Sequence, residues 1–132
     1  MATSASLDTN VLLDWLLDRD SARSAATQRL LDSTLTLHVS DMVFAEIVYV
    51  LQSAKFPRVA ITKNLSRIVA ERAINCNRPL IKRALKLYET ESRLSWVDCC
   101  SLFYAELNNA SPLYTYDNDL IKKSGGRAQA LR

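Results

Sequence analysis

Glycine is almost missing: the 132 residues hold two, side by side at Gly125 and Gly126. A Walker-A or dinucleotide phosphate cradle needs glycines between an early strand and the helix after it, so both readings fail. Histidine occurs once, at His38, and cysteine three times, at Cys76, Cys99 and Cys100. Neither the number nor the spacing supplies an ordinary His/Cys zinc site. An odd cysteine total with two adjacent members resembles no disulfide framework, so a reducing, cytoplasmic setting is expected. The opening Met1-Ala2-Thr3-Ser4-Ala5-Ser6-Leu7-Asp8 has neither the basic start nor the apolar core of a secretory leader. No apolar run approaches the ~20 residues that span a bilayer. No membrane partner is expected.

Carboxylate and aliphatic side chains are plentiful. At 48% hydrophobic and 23% charged residues, the composition is that of an ordinary globular protein. A single domain over 1–132 is expected, with a flexible tail from about residue 124. The net charge of +3 is unevenly spread. Residues 1–54 carry three bases and seven acids, residues 55–93 ten bases and three acids, and residues 94–132 four of each. A basic block of this kind attracts phosphate backbones. It can equally be a solvated helix face.

The hydrophobic pattern predicts short strands alternating with helices. Ala5 to Leu7 reads as a weak strand, and Leu35 to Val39 as a half-buried one with period-2 alternation. Leu113 to Tyr116 is a third strand. Helices are expected over Asn10–Leu17, Ser21–Leu31, Met42–Ala54, Val59–Val69, Leu80–Thr90 and Trp96–Leu107. Asp20, Ser40 and Ser95 are their N-caps where one is evident, and Pro79 opens the fifth. The alternation implies an α/β sandwich with a parallel sheet. His38 falls on the polar side of its strand and reads as a surface residue. Cys99 and Cys100 lie in an apolar helix and read as core rather than nucleophiles.

Four acids stand where acids are expensive or where ligands collect. Asp8 and Asp117 each follow a strand directly, at the end where parallel α/β sheets bind ligands. Asp119 comes two residues later. Glu46 is the only charged residue between Asp41 and Lys55, with Met42, Val43, Tyr49 and Val50 one turn away. It therefore reads as projecting from an apolar face, where an unpartnered carboxylate costs several kcal/mol, on the order of other buried ions. Asp98 completes a Ser-x-x-Asp capping box with Ser95, yet its helical row continues into Leu102 and Ala105. Two carboxylates about 4 Å apart repel by ~4 kcal/mol at an effective dielectric near 20. Hard oxygen ligands without His or Cys select Mg²⁺ or Mn²⁺. Such an ion supports in-line displacement at a phosphodiester. Whether the four acids converge is not fixed by their spacing.

Four segments in order resemble the PIN-domain nucleases. They are Leu7-Asp8-Thr9-Asn10-Val11-Leu12-Leu13, Ser40 to Leu51 around Phe44-Ala45-Glu46-Ile47, Ser95-Trp96-Val97-Asp98, and Leu113-Tyr114-Thr115-Tyr116-Asp117-Asn118-Asp119-Leu120. The resemblance covers about residues 4–123. It departs in a polar first strand, with Ser4 and Ser6, and in a glycine-free loop at Asn108 to Pro112. It implies a PIN-like three-layer α/β sandwich with a short central parallel sheet flanked by helices. It implies Asp8, Glu46, Asp98 and Asp117 as a pocket holding Mg²⁺ or Mn²⁺, supported by Thr9, Asn10, Thr115 and Asp119. A stand-alone chain of this size is most similar to the VapC-type toxins of toxin–antitoxin pairs. Those are ribonucleases, usually homodimeric, held inactive by a cognate antitoxin. With an RNA substrate implied, Lys63, Arg67, Lys82, Arg83 and Lys86 become candidates for phosphate contact. An RNA-maturation endonuclease and a non-catalytic RNA- or protein-binding module remain open alternatives. A phosphatase with an Asp nucleophile is disfavoured, because Asp8-Thr9-Asn10 lacks the second Asp.

Overall fold

The computed structural model describes residues 3–131. They fall into two compact units, one ending at Arg78 and one beginning at Pro79. Among the described residues there are seven helices and five short strands. No helix among them is long and apolar enough to cross a membrane.

The first unit holds β1 (Ser4–Ser6), α1 (Thr9–Leu17), α2 (Ser21–Leu31), β2 (Thr36–His38), α3 (Asp41–Ser53), α4 (Arg58–Ala70) and β3 (Ile74–Asn75). The strands pair in parallel in the order β1-β2-β3. A parallel step needs a crossover, and here each crossover is a pair of helices. Registered rows join Ser6 to His38 and His38 to Asn75. The next row toward the N-terminal ends joins Ala5 to Leu37 and Leu37 to Ile74. Leu37 and Ile74 are buried while His38 and Asn75 are exposed, so the sheet has one apolar and one polar face. Leu12, Phe44, Ile47, Leu51, Ile61 and Leu65 complete a core without solvent contact.

Local chemistry sets the helix starts. Asp20 Oδ1 accepts from the Arg23 N–H at 3.0 Å and Ser40 Oγ from the Val43 N–H at 3.2 Å, each filling a donor left orphaned by the first turn. Arg78 closes the far end of α4: its Nε donates to the Val69 carbonyl at 3.0 Å and its Nη2 to that of Glu71 at 2.8 Å. One member of the basic block is therefore spent on structure.

The second unit contains α5 (Arg78–Thr90) from Pro79 onward, α6 (Trp96–Leu107), β4 (Leu113–Thr115), α7 (Asn118–Lys123) and β5 (Ala128–Ala130). Its core carries Tyr88 edge-on to Trp96, with ring centroids 5.7 Å apart. Ser95 and Asp98 form the expected reciprocal box: Ser95 Oγ accepts from the Asp98 N–H and Asp98 Oδ2 from the Ser95 N–H, both at 3.0 Å.

Three elements depart from expectation. The segment from about residue 124, expected to be flexible, carries β5, which pairs in parallel with β4 and buries Ala128. The turn that returns the chain to β4 needs left-handed backbone at Gly125 (φ +63°) and Gly126 (φ +87°), which is where the chain spends both its glycines. The strand β3 has two residues, too few to show a period in the sequence. The helix α7 has six, and Asp117, which the sequence pattern marks only as the end of a strand, is its N-cap.

Candidate functional site

Strand ends and helix starts meet where parallel strands stop, and the first unit has an open cleft of about 810 Å³ there. Its lining comes from the residues that end all three strands: Asp8 after β1, His38 and Ser40 at the end of β2, and Asn75 to Asn77 at the end of β3. Ligands of parallel α/β sheets collect outside the carboxyl ends of the strands, and the cleft lies at those ends. Asp8 is therefore where the sequence puts it. It is the N-cap of α1, and its Oδ1 accepts from the Thr9 N–H at 2.8 Å. One carboxylate oxygen is thereby held by the backbone.

The two acids of the second unit share that design. Asp98 gives Oδ2 to the Ser95 N–H at the start of α6. Asp117 is the N-cap of α7, and its Oδ1 accepts from the N–H groups of Asp119 at 2.9 Å and Leu120 at 3.1 Å. Thr115 steadies this turn, its Oγ1 accepting from the Asp117 N–H at 3.1 Å. In all three acids a backbone N–H at a helix start fixes one carboxylate oxygen. Asp98 is half-buried, and the row it begins runs into buried Leu102 and Ala105.

Glu46 overturns its expectation. It is exposed in α3, and its neighbours Met42 and Tyr49 are exposed by 79% and 69%. The buried side of α3 is Phe44, Ile47, Val48 and Leu51. This helix is apolar nearly all round, so spacing alone could not say which side faces inward. The desolvation cost assigned to Glu46 does not arise, and Glu46 does not line the cleft that holds Asp8.

The supporting residues divide in the same way. Thr9 is 2% exposed and its Oγ1 has no hydrogen-bond partner among the described residues. Asn10 is exposed on α1. Asp119 approaches Arg93 at 3.8 Å. Of the basic candidates, Lys63, Lys82, Arg83 and Lys86 are exposed on α4 and α5. Arg67 is different: its Nη1 donates to the Leu16 carbonyl at 3.0 Å and its guanidinium lies 4.8 Å over the Trp15 ring. It staples α4 to α1. Arg83 and Lys86 border a second cleft, of about 640 Å³, together with Phe103 and Arg127.

The sequence pattern does not mark Asp41, Asn75 or Asn77, and it places His38 on the polar side of its strand. The signal for them was positional, and it required recognising β3. Within each unit, no group of three or more His, Cys, Asp or Glu side chains among the described residues could hold a metal ion. Beside Asp8 and Asp41 the cleft lining offers serine hydroxyls and asparagine carboxamides, oxygen groups of the kind hard divalent cations accept, together with His38 and Cys76.

No curated protein matches the chain. A family model for the PIN domain matches residues 5–126, a span that covers most of each unit and contains the cleft residues and all four acids. The chain belongs to the PIN-domain family, whose members are in general metal-dependent nucleases.

Proposed function

We propose that the protein is a metal-dependent endoribonuclease of the VapC toxin type, neutralised by a cognate antitoxin and acting as a homodimer. The observation that carries the reading is the PIN match over residues 5–126, a span that contains the four acids the sequence resemblance implies. Asp8, Glu46, Asp98 and Asp117 would hold Mg²⁺ or Mn²⁺, with Thr9, Asn10, Thr115 and Asp119 supporting them. The ion would supply an activated water and charge stabilisation at the phosphodiester. The chain's own contribution is orientation. Three of the four carboxylates have one oxygen fixed by a helix-start N–H, so little rotamer freedom is left to lose on binding. Exposed Lys63, Lys82, Arg83 and Lys86 would contact the RNA backbone, and the basic stretch favours a polyanion over a neutral substrate.

The test is cleavage of a mixed RNA pool by the full chain with Mg²⁺, with Mn²⁺ and with EDTA, repeated for Asp8→Asn. Cleavage in the presence of either metal, lost in EDTA and reduced at least 100-fold in the variant, is the expected result. RNA binding without turnover in every condition would make the protein a binding module instead. Co-purification with a small partner encoded beside it would separate a toxin from an RNA-maturation enzyme.

A further inference from the structure

The cleft at the end of β1, β2 and β3 carries polar groups that the metal chemistry does not use. Ser6, His38 and Asn75 are paired in register, so their side chains form one row across the polar face. Asn77 stands two residues beyond Asn75, past the end of β3, and lines the same cleft. All four line the cleft that contains Asp8, and His38, Asn75 and Asn77 are exposed. None of the three has a side-chain hydrogen bond among the described residues, so an imidazole and two carboxamides keep their full donor and acceptor capacity. Stability gives no reason for such a row.

The charge of the lining decides what it fits. The cleft includes the carboxylates of Asp8 and Asp41 and no Lys or Arg. Phosphate would meet repulsion here without a compensating cation. An unpaired nucleobase is neutral and presents donors and acceptors on its edge, which a carboxamide matches with two hydrogen bonds at once. Proteins that recognise RNA by sequence take such splayed-out bases from single strands and loops.

We propose that His38, Asn75 and Asn77 form a base-reading subsite for single-stranded RNA, and so determine which sequences the enzyme cuts. The inference rests on the ribonuclease reading and adds the specificity element to it. Phosphate contacts from the basic helices supply affinity that is blind to sequence, and this row supplies the choice.

The test measures binding without turnover. The full chain in EDTA is titrated into end-labelled RNA oligomers of equal length: oligo-A, oligo-C, oligo-U and an abasic ribose-phosphate chain. At least one homopolymer is expected to bind about tenfold tighter than the abasic chain, as one good bidentate contact allows. Asn75→Ala, Asn77→Ala and His38→Ala should bring that preference toward unity while abasic binding and its salt dependence stay unchanged. Circular dichroism melts confirm that each variant folds, and Asn75→Gln serves as a second, milder variant. Equal binding of all four oligomers by the unaltered protein overturns the proposal, as does a preference that survives all three alanine variants, or no binding of any oligomer. The ribonuclease reading fails separately, if metal-dependent cleavage is absent while the base preference stands.

Discussion

Asp98 closes a capping box and is proposed to hold a metal ion, and a pair of substitutions separates the two roles. Its Oδ2 accepts from the Ser95 N–H at 3.0 Å. An amide keeps the first role, because Asn Oδ1 accepts the same N–H bond, but it lacks the charge that the second requires. Asp98→Asn should therefore fold and melt within about 2 °C of the parent, since only the dipole interaction, ~0.5 kcal/mol, is given up. Asp98→Ala also loses the acceptor; the return bond from the Asp98 N–H to Ser95 Oγ survives, because it uses backbone. That loss is worth ~1 kcal/mol, which for a chain of this size lowers Tm by about 4 °C. RNA cleavage should fall at least 100-fold in both variants, a loss of at least ~2.7 kcal/mol of transition-state stabilisation. Differential scanning fluorimetry reads the first quantity and cleavage of a labelled RNA the second. If Asp98→Asn melts normally and still cuts at the parental rate, Asp98 is a cap and nothing more. If it fails to fold, the box depends on charge to a degree that the hydrogen-bond argument does not allow.

Glu46 has no cap to lose, so Glu46→Gln should leave Tm within about 1 °C, given near-equal helix propensities, while cleavage falls at least tenfold; unchanged cleavage would remove Glu46 from the metal set. Arg67→Ala should lower stability by ~1–2 kcal/mol through the lost bond to Leu16 and the lost Trp15 contact, as read by urea denaturation, and leave the salt dependence of RNA binding as it was. The double variant Lys82→Ala/Lys86→Ala should do the opposite, keeping Tm and flattening the slope of log K against log salt by roughly 1 per contact removed; a slope equal to the parent's would clear both lysines. Ending the chain at Gly126 should cost on the order of 2 kcal/mol, because the bonds of β5 to β4 go with it and Ala128 leaves a buried place; a truncation that melts like the full chain would restore the flexible tail.

Six of the seven helices were legible in the sequence from their apolar patterning, and α2, α3 and α6 also from a side-chain cap. Asp20, Ser40 and Ser95 all cap where their residue type says they should. The strands were legible in proportion to their length. Leu35 to Val39 alternates over five residues, whereas Ile74–Asn75 has no room to alternate, and β5 is Ala-Gln-Ala, whose side chains carry little hydrophobic signal. What sets these two strands is pairing with a neighbour distant in sequence, Leu37 for Ile74 and Leu113 for Ala128. A local reading cannot supply that.

The acids were legible in position and misleading in environment, and the reason is physical. A carboxylate just after a strand and just before a helix satisfies two different demands with one residue. The helix start wants an acceptor for its orphaned N–H groups, and a metal site wants an ionised oxygen held in place. Asp8 and Asp117 meet the first demand outright, with Oδ1 bound to backbone at 2.8 and 2.9 Å. That success does not count against the second, since the cap fixes one oxygen and so orients the other. Expense of burial is therefore a poor guide to which acids border the cleft. Glu46, picked for its apolar neighbours, is exposed, while Asp8, picked for its place after a strand, borders the cleft. Position relative to the sheet edge carries the functional information. The same criterion, applied to β3 once its register is known, is what brings Asn75 and Asn77 beside Asp8.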